Sequence, residues 1–219
     1  MTLLHQTRFN KLFGAPYMFH LHTTYTDGEL SAGDYFEFAR RHGAPRLIFL
    51  EHIRRTPRYD VQQFISEVRE CEKRFSGRAT IGFEAKVLPG GGLDISEDHL
   101  KEAEVLGIAE HGFDGTLMEL RESLSVAMRH DWGRPCVWVH PGLGLRRKAK
   151  LENQPFQYTG LLEEALANGV ALERNQRYDL ISEKHSHSFA EGIVFGLDAH
   201  AQSDLTGYDS PALHGSIAS

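Results

Sequence analysis

Seven short runs rich in β-branched and aromatic residues alternate along this chain with longer stretches of helical periodicity, and that alternation narrows the fold more than any other feature. The runs cover 17–22, 46–51, 79–84, 105–109, 136–140, 170–173 and 193–197. A strand, a helix and the next strand make one crossover unit, and repeating the unit builds a parallel sheet covered by helices. Helical stretches are expected at 31–42, 61–74, 97–103, 117–130 and 161–168. Ser31, Asp60 and Ser96 fall at N-cap positions, Asp34 completes a variant capping box with Ser31, and Gly43 and Gly169 stand where helices should stop. The segment 142–159, with the basic run Arg146, Arg147, Lys148 and Lys150, has no regular pattern and is expected to be a long loop. No internal repeat or composition shift divides the chain. The expectation is a single α/β domain over residues 1–219, barrel-like, with its core at about 17–207.

Composition removes the alternatives. Hydrophobic residues at 41% and charged residues at 25% are ordinary globular usage, which excludes a disordered or low-complexity chain. A net charge of -6 argues against a broadly basic nucleic-acid coat. No run reaches the roughly 18 to 20 apolar residues of a membrane span, and the opening residues lack the apolar core of a signal peptide, so the expected location is the cytoplasm, with no membrane partner. Cys71 and Cys136 are too few for a disulfide framework and are expected to be core thiols.

Histidine is the unusual residue, with 13 in the chain. His20 and His22 close the first run, and alternation along a strand puts i and i+2 on one face, the geometry for two imidazoles on one metal ion; Asp27 follows in the next loop. Without a metal, the same pair reads as half-buried polar residues at a strand end. Glu51 and His52 end the second run, Glu84 the third, and His111 follows the fourth. His140 ends the fifth, and Asp198 and His200 follow the seventh. Every run but the sixth therefore delivers an imidazole or carboxylate at its C-terminal end, the rim where parallel barrels build active sites.

These residues, taken in order, resemble the PHP domain, the polymerase and histidinol phosphatase superfamily of metal-dependent phosphoesterases. HLHTTYTDG is similar to that family's HxHTxxSDG, Gly82-Phe83-Glu84 stands in the place of its bridging glutamate, and His111, His140 in HPG and Asp198-Ala199-His200 in GLDAH complete the series. The resemblance implies a distorted, TIM-like (β/α)7 barrel and a site for three divalent ions. His20, His22, Glu84 and Asp198 would hold one ion. Glu84 would bridge to a second that also takes His111 and His140, and Asp27, His52 and His200 would hold the third. Glu84, Asp198 and His200 would then stand nearest the chemistry. Glu51 is the departure, because the family usually has aspartate before that histidine.

Imidazole and carboxylate ligands without thiolate suit zinc, manganese or iron. Three divalent ions against three carboxylates leave an excess of positive charge that attracts an anion. A hydroxide between ions that share Glu84 is the natural nucleophile. The expected activity is hydrolysis of a phosphate ester in a small metabolite or nucleotide, a phosphomonoesterase reaction. The alternatives are a nuclease trimming DNA or RNA ends, a C–N bond hydrolase of similar metal chemistry, and a catalytically silent domain. Arg54 and Arg55, which follow His52, and Arg177, similar to a family position that often faces substrate, are the candidate phosphate-binding groups. Gly90-Gly91-Gly92 lacks the Lys-Ser/Thr of a P-loop and reads as a hairpin turn. His185 and His187 read as a surface HxH, and His5, His42, His99, His130 and His214 carry no argument.

Overall fold

The computed structural model describes residues 10, 12–43, 45–178, 181 and 192–209. Each apolar run becomes a strand: β1 (Tyr17–Leu21), β2 (Arg46–Ile53), β3 (Ala79–Lys86), β4 (Val105–Ala109), β5 (Cys136–Trp138), β6 (Val170–Asn175) and β7 (Ile193–Gly196). They form one parallel sheet in sequence order. Just beyond β7 the chain turns back onto β1, where Leu197 and Ala199 donate their N–H groups to the carbonyls of Phe19 and His20, both at 2.9 Å, and His22 N–H donates to the Ala199 carbonyl at 3.0 Å. The sheet is thus a nearly closed barrel, the distorted TIM-like architecture expected above.

Six α-helices lie among the described residues: α1 (Ala32–Arg41), α2 (Val61–Phe75), α3 (Glu97–Glu102), α4 (Leu117–Arg129), α5 (Leu143–Leu151) and α6 (Thr159–Ala167). Their starts follow the local chemistry. Ser31 and Asp34 cap α1 reciprocally, Asp60 accepts from Gln63 N–H at 2.9 Å, and Ser96 accepts from His99 N–H at 3.2 Å. Thr116 and Glu119 form a second capping box on α4. Gly90 to Gly92 make the expected hairpin turn, closed by Leu88 N–H on the Gly92 carbonyl at 2.8 Å. No helix among the described residues is long and apolar enough to cross a membrane.

The expected loop at 142–159 is the main correction, because its first half is helix α5. Gly142 at its start has φ 93° and no side chain to cap with. The cap comes from Glu110, buried after β4, whose carboxylate accepts the N–H groups of Gly142 and, at 3.1 Å, Leu145. A cap 32 residues away in sequence leaves no local signal.

Strand alternation divides the core in two. Phe19, Ile48, Leu50, Val105, Val137, Val139, Ala171 and Val194 fill the barrel interior, and Leu12 and Phe13 join them, Phe13 lying edge-on to Tyr17 and Phe19. Met18, Leu21, Leu47, Phe49, Ile81, Phe83, Leu106, Ile108 and Trp138 face outward into the larger cluster under the helices. The interior is narrow enough to require glycine: a Cβ on Gly82 would stand 2.5 Å from Val105 and 2.8 Å from Leu50.

Candidate metal centre

Continuing the inward register past the apolar layer brings the ionisable residues to the C-terminal rim. On β3, Gly82 faces in and so does Glu84 two residues on; on β2, Leu50 is followed by His52. β1 departs from simple alternation. Phe19 pairs with Ile48 and Leu21 with the next residue, Phe49, so His20 is an extra residue, with φ 67°. This bulge lets Phe19 fill the barrel, turns Leu21 out to the helices, and leaves His20 and His22 both facing the rim. His140 (φ 33°) and Asp198 (φ 51°) are also in the left-handed region, so three of the five such non-glycine residues among those described lie in this one cluster. Strained backbone concentrated at a site is a mark of function.

The distances converge on Glu84, which is buried. Its Oε2 lies 2.9 Å from His20 Nε2, 3.5 Å from His22 Nε2 and 3.6 Å from His52 Nδ1. Its Oε1 lies 3.2 Å from both His111 Nδ1 and His140 Nε2. Asp198 Oδ1 stands 3.6 Å from His22 Nε2 and 3.8 Å from His20 Nε2. Asp27 Oδ2 lies 3.3 Å from His52 Nε2 and 3.5 Å from His200 Nε2. All nine sequence-derived candidates thus fall into overlapping groups whose donor atoms lie within 4.8 Å of one another.

Charge and burial set the protonation of the cluster. Burial alone would raise Glu84, but His52 and His140 hold its carboxyl well below the usual range. Asp27 is depressed by hydrogen bonding from His200 and His52, and Asp198 is depressed because the nearby His20 and His22 outweigh its burial. Burial lowers His22 to about 3 and His111 to about 4. Neither ring nitrogen of His22 has a hydrogen-bond partner, nor does Nδ1 of His140. A buried neutral imidazole with a vacant lone pair is what a divalent ion needs, so this donor set fits a metal site. The cluster is deepest at His20 and His22 and opens to solvent at Asp27, 54% exposed, and His52, 29% exposed.

The arginines stand outside this set. Arg177 reaches the open edge, its Nη1 2.9 Å from His200 Nδ1 and 3.5 Å from the Asp198 carbonyl. Arg54 and Arg55 lie on the exposed loop after β2, anchored by Asp94: Arg54 Nε is 3.6 Å from its carboxylate and Arg55 N–H donates to it at 3.1 Å. Arg54 is near enough to His111 to help lower its pKa. His99 bonds Ser96 at 2.8 Å, His42 stacks on Phe38 and His130 packs at a tilt against Trp132, all away from the cluster. His5, His185, His187 and His214 lie outside the described residues.

Three buried glutamates complete the rim. Glu51 is not among the grouped donors; it faces outward, accepts Thr23 N–H at 2.7 Å and the Thr26 hydroxyl, and so fixes the loop between His22 and Asp27, while burial raises it to about 7. Glu110, also raised to about 7 by burial, holds the turn after His140. Glu173 corrects the expectation that the sixth strand delivers nothing: it bonds His20 Nδ1 at 2.7 Å and His140 N–H at 2.6 Å. Its signal was present as Glu-x-Asn, two polar residues in the inward register of Ala171.

No family model matches this sequence, and no curated protein does. Among solved structures, the chain is similar to a two-domain protein from Bacteroides vulgatus that contains a predicted PHP-like metal-dependent phosphoesterase. The likeness is one of fold. The TM-score is 0.51 at 15% identity, with 87% of this chain and 54% of that one covered, so this chain spans about half the length of the protein it matches.

Proposed function

We propose that this chain is a metal-dependent phosphoesterase that hydrolyses a phosphate ester of a small metabolite or nucleotide at a site for three divalent ions, zinc, manganese or iron. The observation that carries the reading is the carboxylate of Glu84, whose two oxygens face different sets of imidazoles, His20 and His22 on one side and His111 and His140 on the other. A carboxylate so placed is suited to join two cations. His20, His22, Glu84 and Asp198 would hold one ion, Glu84, His111 and His140 the second, and Asp27, His52 and His200 the third. Bound ions would supply Lewis-acid polarisation of the phosphoryl oxygens and activation of water at neutral pH.

The chain's own residues do the rest. Six positive charges against the three carboxylates of Asp27, Glu84 and Asp198 favour an anion. Substrate would enter on the exposed side at Asp27 and His52, where Arg177 can orient a phosphoryl oxygen through charge-assisted hydrogen bonds, with Arg54 and Arg55 on the exposed loop after β2 as further candidates. The apolar layer of Val139, Leu50 and Phe19 beneath the site excludes water from below. The test is metal analysis of freshly purified protein together with hydrolysis of an aryl phosphate across added manganese, zinc and iron. Two to three ions per chain with metal-dependent phosphate release support the proposal; bound metal without release, against aryl and nucleotide phosphates alike, overturns the activity, and no bound metal overturns the site.

A further inference from the structure

Glu173 has no place in the ligand set above, yet it is fully buried at the centre of it. Its Oε1 lies 2.7 Å from His20 Nδ1, and its Oε2 accepts the His140 backbone N–H at 2.6 Å and the Asn175 amide at 3.0 Å. Asn175 donates to Asp198 Oδ2 at 3.3 Å, while its Oδ1 accepts Arg177 N–H at 2.8 Å. Two neighbouring side chains on β6 thereby touch His20 from β1, His140 after β5 and Asp198 after β7. These are the three cluster residues with positive φ. Non-glycine backbone in that region costs about 1–3 kcal/mol per residue and persists only where surrounding contacts hold it.

The bonding also orients the ring. A carboxylate only accepts, so His20 Nδ1 donates to Glu173, and with that nitrogen engaged Nε2, 2.9 Å from Glu84 Oε2, is the atom turned toward Glu84 and Asp198 and the one a metal ion would take. The neighbouring strand leaves room for the arrangement: a Cβ on Gly196 would fall 1.7 Å from Glu173 Oε1, so only glycine fits there.

We infer that Glu173, braced by Asn175, is a positioning residue that presents His20, His140 and Asp198 to a metal ion. This rests on the metal-site reading but not on the identity of the substrate. Glu173→Gln keeps the size of the side chain, but its one acceptor oxygen cannot serve both His20 Nδ1–H and His140 N–H, and its NH2 group meets one of them donor to donor. The experiment is titration of chelator-stripped protein with zinc against a chromophoric chelator, alongside the visible spectrum of the cobalt-loaded protein. Glu173→Gln should weaken binding by about 10- to 100-fold and alter the cobalt bands, even where thermal unfolding of the stripped protein stays close to the parent. Asn175→Ala, which keeps the carboxylate, should weaken binding by a smaller factor and serves if Glu173→Gln does not fold. Parent-like affinity and cobalt spectrum in a folded variant, whatever its melting temperature, would overturn the inference alone. Failure of the parent to bind zinc would overturn the metal-site reading beneath it.

Discussion

At the N-terminal end of the barrel, Leu12 and Phe13 join Phe19, Ile48 and Val105 in an apolar cluster that needs no partner to be satisfied; at the C-terminal end, His20, His22, Glu84, His140, Glu173 and Asp198 are buried just as deeply. Burying ions costs several kcal/mol each unless they are paired, and the rim offsets that cost with carboxylate–imidazole contacts and buried carboxylates on backbone N–H groups, while the unpartnered nitrogens of His22 and His140 add to it. The comparison teaches a division of labour. One end supplies stability through dry packing, and the other holds a strained, charged geometry whose donors could hold a metal ion.

Perturbing the two ends separately should break the comparison if it is wrong. The largest effect is expected from Glu84→Ala, which removes the carboxylate between two sets of imidazoles: metal occupancy should fall and phosphate release should drop below detection, and an active variant would refute the assignment. Next is Phe13→Ala at the opposite end. It should cost about 3–5 kcal/mol in urea unfolding while leaving the metal affinity of the folded protein unchanged. Stripping metal with a chelator should act on the rim alone, lowering stability by about 2.7 kcal/mol relative to protein held at a hundredfold excess over the dissociation constant, and restored metal should reverse it. Arg177→Ala sharpens the picture at the open edge. It should raise KM for an anionic substrate about tenfold, the weight of one charge-assisted hydrogen bond, with kcat retained; unchanged kinetics would remove Arg177 from substrate contact.

The barrel was legible because its signals are local and periodic. Apolar runs marked the strands, and caps such as Ser31 with Asp34 marked helix starts. The imidazoles and carboxylates at strand ends were legible for the same reason, since a parallel barrel carries every strand's C-terminal end to one rim. Helix α5 was not legible, because its cap is the carboxylate of Glu110 rather than a neighbour in sequence. Glu173 was overlooked because a polar residue at a strand end resembles a solvated one until its partners on β1 and beyond β5 are known.

The sequence by itself therefore determined the seven strands, the crossover connections that make them a parallel barrel, and the residue types brought to the rim, all consequences of local periodicity and crossover connections. Only the tertiary structure decided which nitrogen of each imidazole faces Glu84, that His20 sits in a bulge, that Glu51 and Glu110 face backbone N–H groups, and that Glu173 joins the His20 ring to the His140 N–H. Those choices depend on hydrogen bonds between residues far apart in the chain, and such bonds exist only once the barrel has closed.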